Sequence, residues 1–167
     1  MITTTIDTPK TQIISEHGLA NVLLNNLSHQ KSLNAAVAFA PGDIICKFGA
    51  GETLPYPTYL TVQVDIDKHI TLVPEFLQYV NHSCQPNVFF NTATMNLECL
   101  TEMQPGDEFT FFYPSTEWNM SQPFVCNCCS SQCLEVIYGA SKLTIEKLSR
   151  YKLTDFIRRQ VKEKLSL

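Results

Sequence analysis

Short runs of β-branched and aromatic residues, separated by turn-forming residues, recur through the middle of the chain. Such runs are typical of short strands. Six of them predict strands: Ile44–Phe48, Leu60–Val64, Ile70–Leu72, Val88–Phe90, Leu97–Leu100 and Phe109–Tyr113. Few helical patterns intervene between these runs, which favours several small antiparallel sheets over one parallel sheet. The predicted fold class is therefore mainly β, within the α+β group.

Two similar tripeptides mark turns ahead of predicted strands. Pro41-Gly42-Asp43 precedes the first strand of the series, and Pro105-Gly106-Asp107 precedes the last. Proline presets the first central position of a turn, and glycine tolerates the positive φ that a type II turn requires at the second. The sequence therefore predicts a type II turn at each site.

The end of the chain changes from strand-like to helical patterns. Ser141–Tyr151 is predicted as a short helix, and Thr154 is a good N-cap for a second one. Apolar residues recur at helical spacing after this cap: Phe156, Ile157, Val161 and Leu165. The stripe is narrow and amphipathic. Packing on the domain's own surface is the favoured interpretation, ahead of a partner-binding helix.

Composition and charge limit the possible functions. A chain of 167 residues with 44% hydrophobic residues is expected to form one domain with small appendages. Without an apolar run near the ~20 residues that span a bilayer, a membrane role is not expected. A net charge of -4 without a basic stripe argues against direct nucleic-acid binding. A mildly acidic protein does suit a cationic peptide.

The N-terminal segment Met1–Lys10 is rich in threonine and lacks both a basic start and an apolar signal core. It is expected to be a loosely held end of an intracellular, cytoplasmic protein. Oligomeric state is left open by the sequence.

Seven cysteines in a protein without a recognisable export signal favour metal ligation, catalysis or burial over disulfides. Cys126, Cys128 and Cys133 have C-x-C-x4-C spacing, and thiolates favour tetrahedral zinc, which needs a fourth ligand. Spacing alone does not choose that ligand from the remaining four cysteines: Cys46, Cys84, Cys99 and Cys129. Cys46 and Cys99, each alone in a strand-like run, are interpreted as buried thiols.

Three segments in order carry a family resemblance. The run Asn81-His82-Ser83-Cys84-Gln85-Pro86-Asn87 is followed by Glu108-Phe109-Thr110-Phe111-Phe112-Tyr113 and then by the cysteine-rich segment. Together they resemble the SET-domain family of protein lysine methyltransferases with a post-SET tail, over roughly residues 28 to 140. The resemblance implies a SET fold of several small antiparallel sheets. It also implies a knot-like threaded segment, a zinc-held post-SET loop and C-terminal helices.

This resemblance also implies a division of the chain: an N-terminal segment 1–17, a SET domain 18–115, a post-SET zinc-binding segment 116–140 and C-terminal helices 141–167. The implied activity is transfer of methyl groups from S-adenosylmethionine to a lysine ε-amine in a protein. Tyr113 falls where the family places its catalytic tyrosine. Phe111 and Tyr79 are candidates for the walls of the lysine channel, and phenylalanine at 111 indicates di- or trimethylation.

Other positions are assigned by the same resemblance. Asn81 and His82 match the family's cofactor-binding pair, and Asn87 is expected to brace the same turn. The family's post-SET loop returns over this run, which implies Cys84 as the fourth zinc ligand beside Cys126, Cys128 and Cys133. The remaining predicted cofactor contacts are Lys31, Ser32 and Leu134.

The chain departs from the family pattern at several positions. A Gly-x-Gly that usually lies against the cofactor is replaced by Gln30 and Ser32, and glycine allows a closer backbone approach than either. Gln78 stands where an arginine is common, and Phe112 where an acidic residue precedes the tyrosine. Cys129 occupies a usual glycine position. Two alternatives therefore stay open: a non-catalytic SET-fold binding module, and a methyltransferase for a small-molecule amine.

Overall fold

A computed structural model describes residues 10–166, and the predicted loose end therefore lies almost entirely outside the described residues. The strands within this range are β1 (Thr11–Glu16), β2 (Ala20–Asn25), β3 (Lys31–Ala35), β4 (Ile44–Lys47), β5 (Gly49–Leu54), β6 (Thr61–Asp65), β7 (Lys68–Val73), β8 (Asn81–His82), β9 (Val88–Asn91), β10 (Asn96–Cys99), β11 (Thr110–Phe111), β12 (Phe124–Val125) and β13 (Val136–Ile137). The α-helices are α1 (Ile145–Leu148) and α2 (Asp155–Leu165).

The strands form small sheets. Three sheets have three strands each, in the orders β1-β2-β3, β4-β10-β9 and β5-β7-β6, and all their pairings are antiparallel. A further antiparallel pair joins β12 to β13, whereas β8 and β11 pair in parallel. The prediction of a mainly β fold of small antiparallel sheets is confirmed, with this one two-residue parallel pair as the exception among the described strands.

Most predicted strands lie where the pattern placed them, as β4, β6, β7, β9 and β10. The last prediction was too long, because Phe109–Tyr113 contains only the two-residue β11 and Tyr113 begins a 3-10 turn, Tyr113–Ser115. Pro114 lies in the first turn of that short helix, where its missing N–H costs no hydrogen bond. The chain therefore turns at Tyr113 instead of continuing as a strand.

Both predicted turns are confirmed. Gly42 and Gly106 have φ of +92° and +99°, close to the value that the second central position of a type II turn requires. Asp43 N donates to Ala40 O at 3.0 Å, and Asp107 N donates to Gln104 O at 3.0 Å, which closes each turn.

The hairpin β1–β2, its neighbour β3 and the strand β5 are additional to the predicted elements. β1 is exposed along nearly its whole length, so it lacks an apolar face that alternates with a polar one. β2 and β3 do alternate, with Ala20 and Val22 buried in the first and Leu33 and Ala35 in the second. β5 begins Gly-Ala-Gly, a composition that strands normally avoid.

The C-terminal helices differ in part from the prediction. Ser141–Tyr151 is not one helix: a 3-10 turn at Ala140–Lys142 is followed by the four-residue α1, whose N-cap is Thr144. The prediction for α2 is confirmed, since Thr154 Oγ1 accepts from Ile157 N as an N-cap. Neither α1 nor α2 has the length and apolar character required to cross a membrane.

Two apolar clusters meet at neighbouring residues. The larger cluster contains Phe111 and joins strands of the three-stranded sheets, while the smaller contains Phe112 and the buried faces of α1 and α2. Successive side chains of an extended backbone point to opposite sides. The residues just before Tyr113 are therefore anchored in both clusters, which fixes where Tyr113 emerges.

Gly139→Ala should destabilise the fold by about 1–3 kcal/mol, the usual cost of overpacking. A Cβ at this position would lie 2.3 Å from Trp118 O and 2.7 Å from Asn119 Cα, and backbone cannot move away as a flexible side chain can. Gly49→Ala is the matched control, because a Cβ there meets no atom within 4 Å. Urea unfolding of both variants measures the difference; equal losses of stability would contradict this account.

Candidate active site

Two segments distant in sequence lie side by side. Asn81 and His82 pair in parallel with Thr110 and Phe111. Beyond the two-residue strands, Ser83 N donates to Phe111 O at 3.1 Å, and Asn87 N donates to Thr110 O at 3.0 Å. The Asn-His-Ser-Cys run and the tyrosine-bearing segment are thus joined by a continuous set of backbone hydrogen bonds.

The side chain of Asn87 extends this pairing. Its Nδ2 donates to Glu108 O at 2.8 Å, and its Oδ1 accepts from Thr110 N at 2.8 Å. An amide that uses both its donor and its acceptor on one backbone segment fixes that segment's register.

Asn81 connects the paired segments to β3. Its Nδ2 donates to Lys31 O at 3.0 Å and to Glu108 Oε1 at 2.7 Å. The bond to a carboxylate is charge-assisted and therefore stronger than one between neutral groups. Asn81 consequently joins its own segment, which also carries His82, to β3 at Lys31 and to the segment that begins at Glu108.

His82 is a neutral hydrogen-bonding group. Burial lowers its pKa to about 4, because a buried charged imidazole loses hydration. Tyr113 N lies 3.3 Å from His82 Nδ1, which must then act as the acceptor and leaves the proton on Nε2. That nitrogen lies 3.4 Å from Cys84 Sγ. One ring thus connects Tyr113 to the cysteine cluster.

The phenol of Tyr113 stays protonated at neutral pH. Burial raises its pKa to about 12, and the charges of Glu108 and Glu117 act in the same direction. Its ring lies 4.6 Å from the Phe111 ring and 5.1 Å from the His82 ring, measured between centroids. Phe124 is a further neighbour at 5.7 Å. Tyr113 is therefore a neutral hydrogen-bonding side chain whose ring is surrounded by other aromatic rings.

An open cleft of about 1020 Å³ contains these groups. Its lining includes most of the residues predicted for the site: Lys31, Tyr79, Asn81, His82, Phe111 and Tyr113. Ser32 and Leu134 are not in the lining. Ser32 Oγ instead donates to Asn34 Oδ1 at 2.7 Å, and Leu134 N lies 3.4 Å from Cys84 Sγ. Their predicted contacts with a cofactor stay predictions.

The positions of the missing glycines have ordinary backbone conformations. His29 has a φ of +58°, whereas Gln30 and Ser32 are not among the described residues with positive φ. Glycine is therefore not required there for backbone reasons. Lys31 Nζ lies 5.1 Å from the centroid of the Tyr79 ring, a cation–π contact at the cleft wall. The side chains of Gln30 and Ser32 therefore replace glycine without requiring a strained backbone conformation.

Four cysteines lie close enough together to hold a metal ion. The Sγ atoms of Cys84, Cys126, Cys128 and Cys133 all lie within 4.8 Å of one another, and the Cys84–Cys126 distance is 4.0 Å. Tetrahedral zinc with bonds of about 2.3 Å would place sulfurs about 3.8 Å apart. The donor set and its spacing therefore fit a structural metal site, and the geometry selects Cys84 from the alternatives that the sequence left open.

The thiols of the cluster differ electrostatically. Burial raises the pKa of Cys84 and raises that of Cys126 to about 11. Burial acts in the same direction on Cys128, but hydrogen bonds from the backbone at Cys84 and Ser130 lower its pKa to about 6. Cys128 is therefore the thiol most ready to form the thiolate that a metal requires.

The remaining cysteines lie apart from the cluster. Cys99 is buried and Cys46 half-buried against the larger apolar cluster. Burial raises the pKa of Cys46 to about 11 and also raises that of Cys99, as expected for thiols in apolar surroundings. Cys129 is exposed and has a φ of +56°, the conformation that explains why glycine would suit this position.

Tyr151, between α1 and α2, contacts the cysteine cluster at Cys84. Tyr151 donates its hydroxyl to Cys84 O at 2.9 Å, and its ring stacks on Phe112 with a centroid distance of 3.6 Å and an interplanar angle of 7°. The phenylalanine that departs from the family pattern therefore serves as the packing surface for the segment between α1 and α2.

Sequence reasoning missed the buried carboxyl of Glu117, which also lines the cleft. Its Oε1 accepts from Gln63 N at 2.8 Å, and its Oε2 lies 3.8 Å from His69 Nδ1. Burial raises the pKa of Glu117 to about 8 and lowers that of His69, since both groups avoid charge away from water. No motif surrounds Glu117, so only the three-dimensional pairing of distant segments reveals it.

The sheets and the joined segments define a SET-domain protein. The family model described as SET domain matches residues 1–114, and the chain belongs to this family. It is similar to the methyltransferase flvH of Aspergillus flavus, with 38% identity over 129 residues that cover 76% of this chain and 72% of the relative. Family membership and this relative indicate a SET-domain methyltransferase, and the cysteine-rich segment is consistent with a post-SET region.

Two further relatives match shorter stretches. The histone-lysine N-methyltransferase set9 of Schizosaccharomyces pombe is 35% identical over 69 residues, which cover 40% of this chain and 15% of the relative. The histone-lysine N-methyltransferase Suv4-20 of Caenorhabditis elegans is 38% identical over 56 residues, which cover 32% of this chain and 19% of the relative.

Glu117→Gln should flatten the pH dependence of stability. The pKa of Glu117 rises on folding from 4.5 to about 8, so between these values the folded protein holds a proton that the unfolded chain releases. Stability therefore falls as pH rises through this window, by up to about 1.4 kcal/mol per pH unit. The variant lacks this contribution.

Urea unfolding of both proteins at several pH values across that window measures the difference. His69, Asp67, Tyr113 and Glu108 are present in both proteins, and Tyr113, whose pKa Glu117 helps to raise to about 12, titrates above this window. Parallel stability curves would show that the carboxyl titrates alike in the folded and unfolded states.

Proposed function

We propose that the protein transfers methyl groups from S-adenosylmethionine to the ε-amine of lysine in a protein substrate. The observation that supports this most directly is the 3.3 Å contact between Tyr113 N and His82 Nδ1 in the wall of the cleft. It brings the proposed catalytic tyrosine against the proposed cofactor-binding pair Asn81 and His82. The two motifs otherwise lie 31 residues apart in sequence.

The cleft is suited to a methyl donor of this size. Its volume of about 1020 Å³ is at the upper end for ligand pockets and leaves room for a nucleoside beside an amine. S-adenosylmethionine, when bound, supplies a methyl group on a sulfonium cation. Lys31, Asn81 and His82 would hold it, while Ser32 and Leu134 are proposed as supporting contacts outside the observed lining.

The acceptor amine must enter without its proton. A lysine in water has a pKa near 10.4 and is therefore mostly protonated at neutral pH. Tyr79, Phe111 and Phe124 supply aromatic walls to the cleft, and an apolar channel lowers the pKa of an amine that enters it. The channel would thus favour the uncharged nucleophile.

Tyr113 is proposed to orient that amine. Its raised pKa keeps the hydroxyl protonated at neutral pH, as a neutral donor and acceptor. Fixing the amine in line with the transferring methyl group is a large source of rate acceleration in a two-reactant displacement. Phe111 lacks a hydroxyl that would occupy space beside the amine, which supports addition of two or three methyl groups.

A protein substrate is supported by two relatives whose names specify histone lysine. Their matches are short, so the particular substrate is not transferred to this chain. The open cleft is compatible with an entering side chain. Neither nucleic-acid binding nor membrane association is part of the proposal. A cytoplasmic location is part of it, since a reducing compartment would keep the clustered cysteines available as metal ligands.

We further propose zinc as the ion held by Cys84, Cys126, Cys128 and Cys133. Four thiolates are a typical structural zinc site. The ion would tie the segment 116–140 to the SET domain 18–115, with 1–17 and 141–167 as flanking segments. The loop would then close the cleft near Phe124 and Cys126, which both line it.

Cys128→Ser should lose at least half of the bound zinc and loosen the loop, because ligation and local folding are coupled. Elemental analysis of the purified proteins measures zinc, and proteolysis of the loop measures its order. Cys129→Ser is the matched control, since Cys129 is exposed and outside the cluster. A wild-type protein without zinc, or equal loss in both variants, would reject the assignment.

Tyr113→Phe should leave folding and donor affinity unchanged and lower methyl transfer by about 100-fold, the scale expected when alignment is lost. Purified core histones with radiolabelled donor serve as the first acceptor, and mass spectrometry identifies methyl increments on lysine. Tyr56→Phe is the matched control, because Tyr56 is exposed and outside the cleft lining. Unchanged turnover in Tyr113→Phe would refute its role.

The same preparations separate the alternatives. Calorimetric titration with S-adenosylmethionine that gives neither heat nor a thermal shift would favour the non-catalytic binding module. Donor binding with label transferred to free L-lysine, but not to histones, would favour a small-molecule amine.

A further inference from the structure

A cluster of buried polar side chains adjoins the cleft, whose lining includes Glu117, outside the motifs that define the family. Glu117 and Gln63 are each 6% exposed, and His69 is 4% exposed. Burying a carboxyl group costs several kcal/mol unless hydrogen bonds compensate. Such groups are concentrated at functional sites, which makes the contacts of Glu117 informative.

Glu117 takes part in a reciprocal clamp with β6. Gln63 N donates to Glu117 Oε1 at 2.8 Å, and Gln63 Oε1 accepts from Trp118 N at 2.9 Å. The single hydroxyl proton of Thr116 Oγ1 has two acceptors within reach, Glu117 Oε1 at 3.1 Å and Tyr113 O at 3.3 Å. Two adjacent residues of the segment after Tyr113 are thus tied to one residue of the β5-β7-β6 sheet.

The clamp reaches Tyr113 through the backbone. Thr116 N and Glu117 N both donate to Tyr113 O, at 3.1 Å and 3.0 Å. On its other side, Tyr113 N is held by His82 Nδ1. The peptide groups of Tyr113 are therefore fixed at both ends, one by a residue of the predicted cofactor-binding pair and the other by the segment that Glu117 anchors.

We propose that Glu117 is a positioning residue for methyl transfer, which holds the Tyr113 turn against β6 so that the phenol stays aligned in the cleft. This inference rests on the proposed function for its turnover measurement. Glu117 acts through the backbone of Tyr113 and needs no contact with either reactant.

The contacts also indicate which property of Glu117 matters. The hydrogen bonds that Glu117 itself accepts end on Oε1, whereas Oε2 lies 3.8 Å from His69 Nδ1, too far for a hydrogen bond. Within the described residues, His69 Nδ1 has no hydrogen-bond partner. Glutamine retains one acceptor oxygen and the size of the side chain, so it should preserve the hydrogen bond from Gln63 N that alanine removes.

The test compares Glu117→Ala, Glu117→Gln and wild type. Alanine should lower kcat roughly 10- to 100-fold with little change in donor affinity, as expected for misalignment near 1 Å. Glutamine should stay within about threefold of wild type, since the acceptor is retained. Glu52→Ala, which removes an exposed carboxyl from β5, is the matched control and should have wild-type kcat.

Amide hydrogen exchange provides a readout that does not depend on any substrate. Alanine should speed exchange at Thr116 and Glu117 at least tenfold, while glutamine should not. If no acceptor is methylated by any of the proteins, the proposed function fails, yet exchange still decides whether the clamp exists. Unchanged exchange in the alanine variant, or faster exchange with wild-type kcat, would overturn the positioning role; so would a glutamine variant as impaired as alanine.

Discussion

The site depends on the parallel backbone pairing of two segments that are distant in sequence. Asn81 and His82 lie in register with Thr110 and Phe111, and Asn87 extends the contact with its own amide. Long-range pairing of this kind has a high entropic cost of loop closure. The two motifs are rich in groups that offset the cost, because their side chains hydrogen-bond to the opposite backbone. The same few residues thus supply polar groups to the site and determine how the two segments pair.

His82 connects this pairing to the cluster of four cysteines. Its Nδ1 faces Tyr113 N and its Nε2 faces Cys84 Sγ, so a single uncharged ring lies between the phenol and the cysteines. Buried hydrogen-bond networks are costly when incomplete and rigid when satisfied. The order of the loop that carries Cys126, Cys128 and Cys133 is therefore physically linked to the position of Tyr113.

Local signals in the sequence correctly predicted several turns, strands and a helix cap. The Pro-Gly-Asp turns, the central strands and the Thr154 cap follow from nearest-neighbour chemistry and are confirmed. The hairpin β1–β2 was missed because β1 has no buried face, although Gly18 with a φ of +75° marks its turn. Glu117 was missed for a different reason. Its burial results from packing against Gln63, 54 residues away, and no pattern within either segment encodes that distance.

Phe112 has a consequence that extends beyond packing. It replaces the acidic residue common in the family and forms one half of a face-to-face stack whose other half is Tyr151. An acidic side chain at this position would place a charge against an aromatic face. The two positions therefore form a matched pair. In chimeras with other SET domains, the tail beyond residue 140 should be exchanged together with position 112. Grafting either one alone would remove one partner of the stacked pair and leave the other without its packing contact.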